Sequence, residues 1–89
     1  MEKASLFESV GKIIREVVNN PTLKIEPTSF LIHDLGLESI DFLDVSSELE
    51  NVVGKEIDFK TVAEHVGKLT GKPADIKAVR VQDLVDFIA

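Results

Sequence analysis

The sequence has no cysteine, and this absence excludes several kinds of chemistry at once. A chain without thiols cannot form disulfides, bind a metal through sulfur or use a cysteine nucleophile. The sequence also lacks a run of about 18 apolar residues and a charged leader followed by an apolar stretch. We therefore expect neither a membrane span nor a secretory signal, and the lack of cysteine agrees with a cytoplasmic protein.

Basic residues are also scarce: the 89-residue chain has ten of them against sixteen acidic residues, a net charge of −6. Nucleic acids and anionic lipid surfaces repel such a chain, so we expect neither as a partner. Basic patches on partner proteins complement this charge, although the same charge is also explained by solubility alone. The length predicts a single domain, residues 1–89, with a small core.

Apolar residues recur with helical spacing in four segments, which predicts four helices. Asn19-Asn20-Pro21 ends the first helix, because proline disfavours helical angles in the residue before it. Gly54 ends the second, which starts near Ser39, and Gly71 ends the third, which Asp58 can cap. The apolar face of the first helix contains Leu6, Phe7, Val10, Ile13, Ile14, Val17 and Val18. That of the third contains Phe59, Val62, Ala63, Val66 and Leu69. That of the last contains Val81, Leu84, Val85 and Ile88.

The segments between the helices contain no predicted strand pair. Residues 20–38 form a long connection, and Lys72 to Arg80 form a loop around Pro73. Gly67 lowers the helix propensity of the third helix by about 1 kcal/mol relative to alanine. Four apolar residues keep the long connection packed against the domain: Phe30, Leu31, Leu35 and Leu37. The sequence therefore predicts an all-α protein, a small four-helix bundle with a long first loop.

The second helix has apolar residues on two opposite faces. Its core face contains Phe42, Val45, Leu49, Val52 and Val53. A narrower strip on the other side contains Ile40, Leu43 and Ser47, bordered by Asp41, Asp44 and Glu48. Apolar contact with an acidic border is typical of a surface that binds a basic partner. Acids in the first turn also stabilise the helix dipole, which is the alternative explanation for them.

No catalytic or metal-binding motif is present. The segment GKLTGKP, from Gly67, has the wrong spacing for a phosphate-binding loop, and Pro73 stands where serine or threonine is required. His33 and His65 are far apart and belong to no metal-binding pattern. We therefore expect no catalytic residue and no metal ligand.

Ser39 stands where the loop DLGLE passes into the second helix, and two roles are open for it. As a helix cap it would accept a hydrogen bond from the backbone, and alanine in its place would cost about 1 kcal/mol. The reciprocal capping box is absent, because Phe42 stands where Glu or Gln is needed. As an exposed hydroxyl at a helix N-terminus, Ser39 could instead carry a phosphate group near unpaired amides.

The segment DLGLESIDFLDV resembles the signature of acyl carrier proteins, Asp-(Leu/Phe)-Gly-x-Asp-Ser-Leu-Asp. The residues that match are Asp34, Leu35, Gly36, Leu37, Ser39 and Asp41. Glu38 replaces the usual Asp and Ile40 the usual Leu, and both changes are conservative. VQDLVDFI near the end is similar to the closing helix of the family, so the resemblance covers essentially the whole chain.

This resemblance implies a carrier that is not itself an enzyme. A phosphopantetheinyl transferase would esterify Ser39 with 4′-phosphopantetheine from coenzyme A, and the thiol of that arm would carry an acyl group as a thioester. Basic patches of acyl-ACP synthetase, ketosynthase or acyltransferase type enzymes would dock on the second helix. The residues assigned to docking are Glu38, Ile40, Asp41, Leu43, Asp44, Ser47 and Glu48.

The sequence departs from the family pattern in two places. Ile57 and Val81 are 24 positions apart, roughly twice the usual family spacing, so the third helix and the following loop are enlarged. Ser46 and Ser47 stand where bulky apolar residues are common in the family. We expect the Ser46 hydroxyl to bond back to a carbonyl such as that of Phe42. The residues predicted to form a reshaped acyl cavity are Phe42, Ser46, Val62 and Val66; a lineage-specific packing change would explain the same departures.

The sequence is compatible with three functions. The first is a free-standing, monomeric acyl carrier in fatty acid or specialised lipid biosynthesis, which the start at Met1 and the short chain favour. The second is a carrier-like adaptor that binds partners through the second helix and is never modified, and the presence of Ser39 argues against it. The third is a related carrier of polyketide or aminoacyl units, which normally lies within a large multidomain chain.

Overall fold

The computed structural model describes residues 2–89, and these form a bundle of four α-helices with no strand. A short 3-10 turn, η1, precedes the last helix. The elements are α1 (Lys3–Val17), α2 (Ser39–Val53), α3 (Phe59–Thr70), η1 (Ile76–Ala78) and α4 (Val81–Ile88). The prediction of an all-α bundle with a long first loop is therefore confirmed, and η1 is an addition to the predicted loop.

Local signals in the sequence set the ends of the helices. Gly54 and Gly71 follow α2 and α3 with φ angles of 72° and 70°, a left-handed conformation that glycine adopts without steric cost. At the start of α3 the Asp58 side chain accepts a hydrogen bond from the Lys60 amide at 2.9 Å. These three boundaries lie where the sequence predicts them.

The core contains apolar side chains from all four helices and from both long connections. Helix α1 packs against α2 and α4, and α3 packs against α4 and η1. The first connection contributes Ile25, Leu31, Leu35 and Leu37, all buried. The buried residues of the helices are Leu6, Val10, Ile13, Ile14, Val45, Leu49, Phe59, Val62, Ala63, Val66, Val81, Leu84, Val85 and Ile88, with Ile57 and Val79 from the connections.

Backbone hydrogen bonds join the first connection to the segment before α4. The Leu31 amide donates to the Val79 carbonyl at 3.1 Å, and the Val81 amide donates to the Ser29 carbonyl at 2.9 Å. Phe30 and Arg80 thereby form one isolated antiparallel bridge. Periodicity cannot predict this pairing, because each partner is a single extended residue.

Two apolar residues predicted to lie on the buried faces of their helices do not do so. Leu69, in the last turn of α3, is 72% exposed. Val45 and Leu49 are fully buried and Phe42 and Val53 half-buried, but Val52 is 44% exposed. Val52 lies in the last turn of α2, where the bundle ends. It borders an open recess that Leu6 of α1, Ile88 of α4 and Lys55 also line.

Gly67 lets the chain after α3 fold back against this helix. A Cβ atom on Gly67 would lie 2.7 Å from the Lys72 carbonyl oxygen and 3.2 Å from the Ala74 amide nitrogen. The Lys72 amide also donates to the Gly67 carbonyl at 2.9 Å. The helix propensity lost at this position is therefore offset by a close backbone contact that no larger residue permits.

We predict that Gly67→Ala destabilises the fold by about 1 to 3 kcal/mol, because the new methyl group forces backbone atoms apart. Gly11→Ala is the matched control. Gly11 lies within α1, and the nearest atoms to its added Cβ would be Arg15 Nη1 at 3.4 Å and Ile25 Cδ1 at 3.8 Å. This control is expected to gain about 0.5 to 1 kcal/mol from helix propensity. Urea unfolding measures both, and equal effects would contradict the close approach at Gly67.

Candidate functional site

Ser39 is the first residue of α2, and its side chain is exposed. The cap of the helix is the preceding residue, Glu38. The Asp41 carboxylate accepts a hydrogen bond from the Glu38 amide at 2.8 Å, and the Glu38 carbonyl accepts one from the Asp41 amide at 2.9 Å. The possibility that Ser39 is the cap is therefore wrong: the residues that close the helix start lie on either side of it.

The Ser39 hydroxyl has no hydrogen-bond partner within residues 2–89. The amides of Ser39 and Ile40 also have no acceptor in this part of the chain, as is usual in the first turn of a helix. These amides and the positive end of the helix dipole stabilise negative charge. The backbone amides around Ser39 therefore favour a phosphate group esterified to its hydroxyl, whereas the Glu38 and Asp41 carboxylates repel that group.

The loop before Ser39 has a fixed shape. Gly36 adopts a left-handed φ of 74°, and the side chains on either side of it, Leu35 and Leu37, are buried. The Asp34 carboxylate accepts a hydrogen bond from the Phe30 amide at 2.7 Å, which closes the loop on itself. Ser39 thus follows a loop that its buried leucines and this hydrogen bond join to the core.

A groove of about 500 Å³ lies beside Ser39, between the start of α2, the start of α3 and the connection that includes η1. Its floor is mainly apolar, and the rings of Phe42 and Phe59 meet edge to face with centroids 4.9 Å apart. We call it the Ser39 groove. The residues that line it are Ser39, Phe42, Phe59, Lys60, Ala63, Glu64, Ala74 and Ile76.

Of the four residues predicted for an acyl cavity, Phe42 alone lines the Ser39 groove. Val62 is fully buried in the core, and Val66 borders a different recess beside Ala74. Ser46, within α2, is half-buried and is not part of the groove lining. Helical spacing could have indicated Phe59 and Ala63, which are neighbours on α3, but no periodic signal marks Ala74 or Ile76.

The partner of Ser46 also differs from the prediction. Its hydroxyl donates to the carbonyl of Ile57, and the Glu50 carboxylate lies 3.3 Å away; the Phe42 carbonyl is not its partner. The chain turns at Gly54 and runs back past α2, so a carbonyl from outside the helix reaches Ser46. This hydrogen bond therefore joins α2 to the connection between α2 and α3.

The seven residues predicted for docking lie on the start of α2 and its outer face, and we call them the docking strip. Ile40 and Leu43 are 69% and 74% exposed, respectively. Asp44, Ser47 and Glu48 are also exposed on the same helix. Asp41 is half-buried because its carboxylate closes the helix start, and Glu38 is exposed as the cap. Residues 39–53 contain no basic residue, so every charged residue of the strip is acidic.

Residues 2–89 contain no group of three or more His, Asp or Glu side chains that could hold a metal ion. His33 is exposed in the first connection, and the His65 ring lies 5.4 Å from the Phe87 ring. Over the same residues, every helix is too short or too polar to cross a membrane.

A family model described as "Phosphopantetheine attachment site" matches residues 8–70, a segment that includes Ser39 and ends with α3. An acyl carrier protein of Saccharopolyspora erythraea is 30% identical over 57 residues, which are 64% of this chain and 60% of that protein. One of Coprothermobacter proteolyticus is 32% identical over 56 residues, 63% of this chain and 68% of that protein.

The acyl carrier protein AcpXL of Brucella melitensis biotype 1 is 37% identical over 54 residues, 61% of this chain and 58% of that protein. The matched segment therefore covers about three fifths of the Saccharopolyspora and Brucella proteins. No solved structure matches the chain significantly. The family model nevertheless matches well over half of the chain, and the helices follow the order expected of the family. The chain belongs to the acyl carrier protein family, whose cofactor is 4′-phosphopantetheine and whose members are carriers and not enzymes.

Proposed function

We propose that the chain carries acyl groups as thioesters on a 4′-phosphopantetheine arm attached to Ser39. It presents them to enzymes of fatty acid or specialised lipid biosynthesis, as a monomer in the cytoplasm. The observation that carries the proposal is the exposed Ser39 hydroxyl, which lies within the family match and has no hydrogen-bond partner in residues 2–89. This hydroxyl is accessible to an enzyme, and its modification breaks no hydrogen bond within residues 2–89.

The attachment chemistry requires only a hydroxyl from this chain. Ser39 Oγ forms a bond to the phosphorus that bears the pantetheine in coenzyme A, and the phosphoanhydride bond breaks so that 3′,5′-ADP leaves. The hydroxyl proton goes to a base of the phosphopantetheinyl transferase. The arm then supplies the reactive thiol that this cysteine-free chain lacks.

We predict that incubation with coenzyme A and a phosphopantetheinyl transferase adds one phosphopantetheine to the wild type and none to Ser39→Ala. Intact-mass spectrometry measures the addition. The variant is expected to change the free energy of unfolding by less than about 0.5 kcal/mol, because the hydroxyl has no internal hydrogen bond. An unmodified wild type would contradict the proposal and favour the adaptor function.

We further propose that the Ser39 groove receives the acyl chain. The groove begins at the attachment residue, and Phe42, Phe59, Ala63 and Ile76 give it an apolar lining. Burial of apolar area against these side chains stabilises the folded state by roughly 25 cal/mol per Å². The connection after α3 forms one wall, so the enlarged segment would affect which chains fit.

This role predicts that the melting temperature of the loaded protein rises as the acyl chain lengthens, until the groove is filled. Ala74→Phe is expected to reduce the gain, because Ala74 is an exposed residue at the edge of the groove. Ala4→Phe, at an exposed position of α1, is the matched control and should leave it unchanged. Melting temperatures that do not depend on chain length would exclude the groove as the acyl site.

The docking strip is proposed to bind basic patches of the transferase and of the synthetase, ketosynthase or acyltransferase type enzymes that act on the acyl group. Its exposed Ile40 and Leu43 supply apolar contact, and the acids around them attract a basic surface. A related free-standing carrier of polyketide or aminoacyl units would use the same strip, and the identity of the loaded group separates these alternatives.

We predict that Asp44→Lys weakens binding to the transferase by a factor on the order of 10, which corresponds to about 1.4 kcal/mol. Stability should change little because Asp44 is exposed and has no salt bridge among residues 2–89. Glu8→Lys, on the exposed side of α1, makes the same charge change outside the strip. Calorimetric titration of the two unmodified variants measures their affinity for the transferase. Equal weakening would show that net charge alone is responsible.

A further inference from the structure

Charge is divided unevenly between the two sides of the Ser39 groove. Residues 39–53, which form α2, contain four acidic residues and no basic one. Residues 59–80, from the start of α3 to the residue before α4, contain five basic and two acidic residues, a net charge of +3. The groove beside Ser39 therefore separates an acidic helix from a basic segment.

Among the basic residues of this segment, Lys60 lines the Ser39 groove. It is the second residue of α3, and the edge-to-face contact between Phe42 and Phe59 brings the first turn of α3 against the start of α2. Lys60 is exposed, and no carboxylate of residues 2–89 lies within 4.0 Å of its ammonium group. Glu64 lines the same groove one turn later but does not pair with it.

A phosphodiester on Ser39 places a permanent negative charge in this neighbourhood. Glu38 and Asp41 lie directly beside the attachment point, so the α2 side repels the phosphate. Lys60 attracts it from the opposite side. Both forces act in the same direction, because each displaces the phosphate from the docking strip towards α3.

We propose that Lys60 is a positioning residue that pairs with the phosphodiester on Ser39 and holds the arm over the groove between α2 and α3. This inference rests on the proposed attachment at Ser39. It leaves the docking strip free for a partner while the arm is held on the other side. A partner's basic patch, once docked, offers the phosphate a second cation, so docking favours release of the arm from Lys60.

The first experiment measures the phosphorus-31 resonance of the loaded protein. Lys60→Met removes the charge and keeps an unbranched side chain, and Lys68→Met removes the other α3 lysine, which is outside the groove lining. At low salt the resonance of Lys60→Met should differ from the wild type, and that of Lys68→Met should coincide with it. The difference should vanish at 1 M salt, where the screening length falls to about 3 Å.

The second experiment locates the arm itself. A nitroxide attached to the arm thiol broadens the amide signals of nearby residues, and the ratio of broadening at Ala63 to that at Ser47 reports which side the arm occupies. Lys60→Met should lower this ratio by about 1.4- to 5-fold, the population change expected from losing one exposed ion pair. Lys68→Met should leave the ratio unchanged.

The outcomes separate this inference from the proposed function. A wild type that gains no phosphopantetheine overturns both. A loaded protein in which Lys60→Met and Lys68→Met behave alike, in phosphorus resonance and in nitroxide broadening, overturns the role of Lys60 and leaves attachment at Ser39 intact. A phosphorus difference that persists at 1 M salt also counts against an ion pair.

Discussion

The burial of Leu35 and Leu37 on either side of the left-handed Gly36 determines where α2 begins. Between the two buried leucines the backbone adopts a left-handed φ, which glycine allows without steric cost. Glu38 and Asp41 then close the first turn. Ser39 lies within this closed turn and takes no part in it, so its hydroxyl remains available for modification.

The groove beside Ser39 depends on contacts between segments that are distant in sequence. Phe42 meets Phe59 across the start of two helices, and Gly67 allows the chain after α3 to pass close enough for Ala74 and Ile76 to form the remaining wall. The family match ends at Thr70, so this wall lies outside the part that resembles the family model. The connection after α3 thus contributes directly to the surroundings of the proposed attachment point.

The charge distribution relates the two proposed surfaces to each other. An acidic α2 attracts basic partners but repels a phosphate bonded to Ser39, and these two requirements conflict at a single position. Lys60 resolves the conflict in the proposed arrangement, because it lies on the opposite side of the groove from the docking strip. Attraction of partners and positioning of the arm are then assigned to different helices.

Most helix ends, the outward strip of α2 and the motif around Ser39 can be recognised in the sequence, because they depend on residue identity, local backbone chemistry and helical spacing. The sequence pattern was wrong about Val52, about Leu69 and about the hydroxyl partner of Ser46, and it left the cap of α2 unassigned. Those features and the walls of the groove follow from tertiary contacts. Each of these features depends on a contact with a segment that is distant in sequence. Periodicity within one helix carries no information about such a contact.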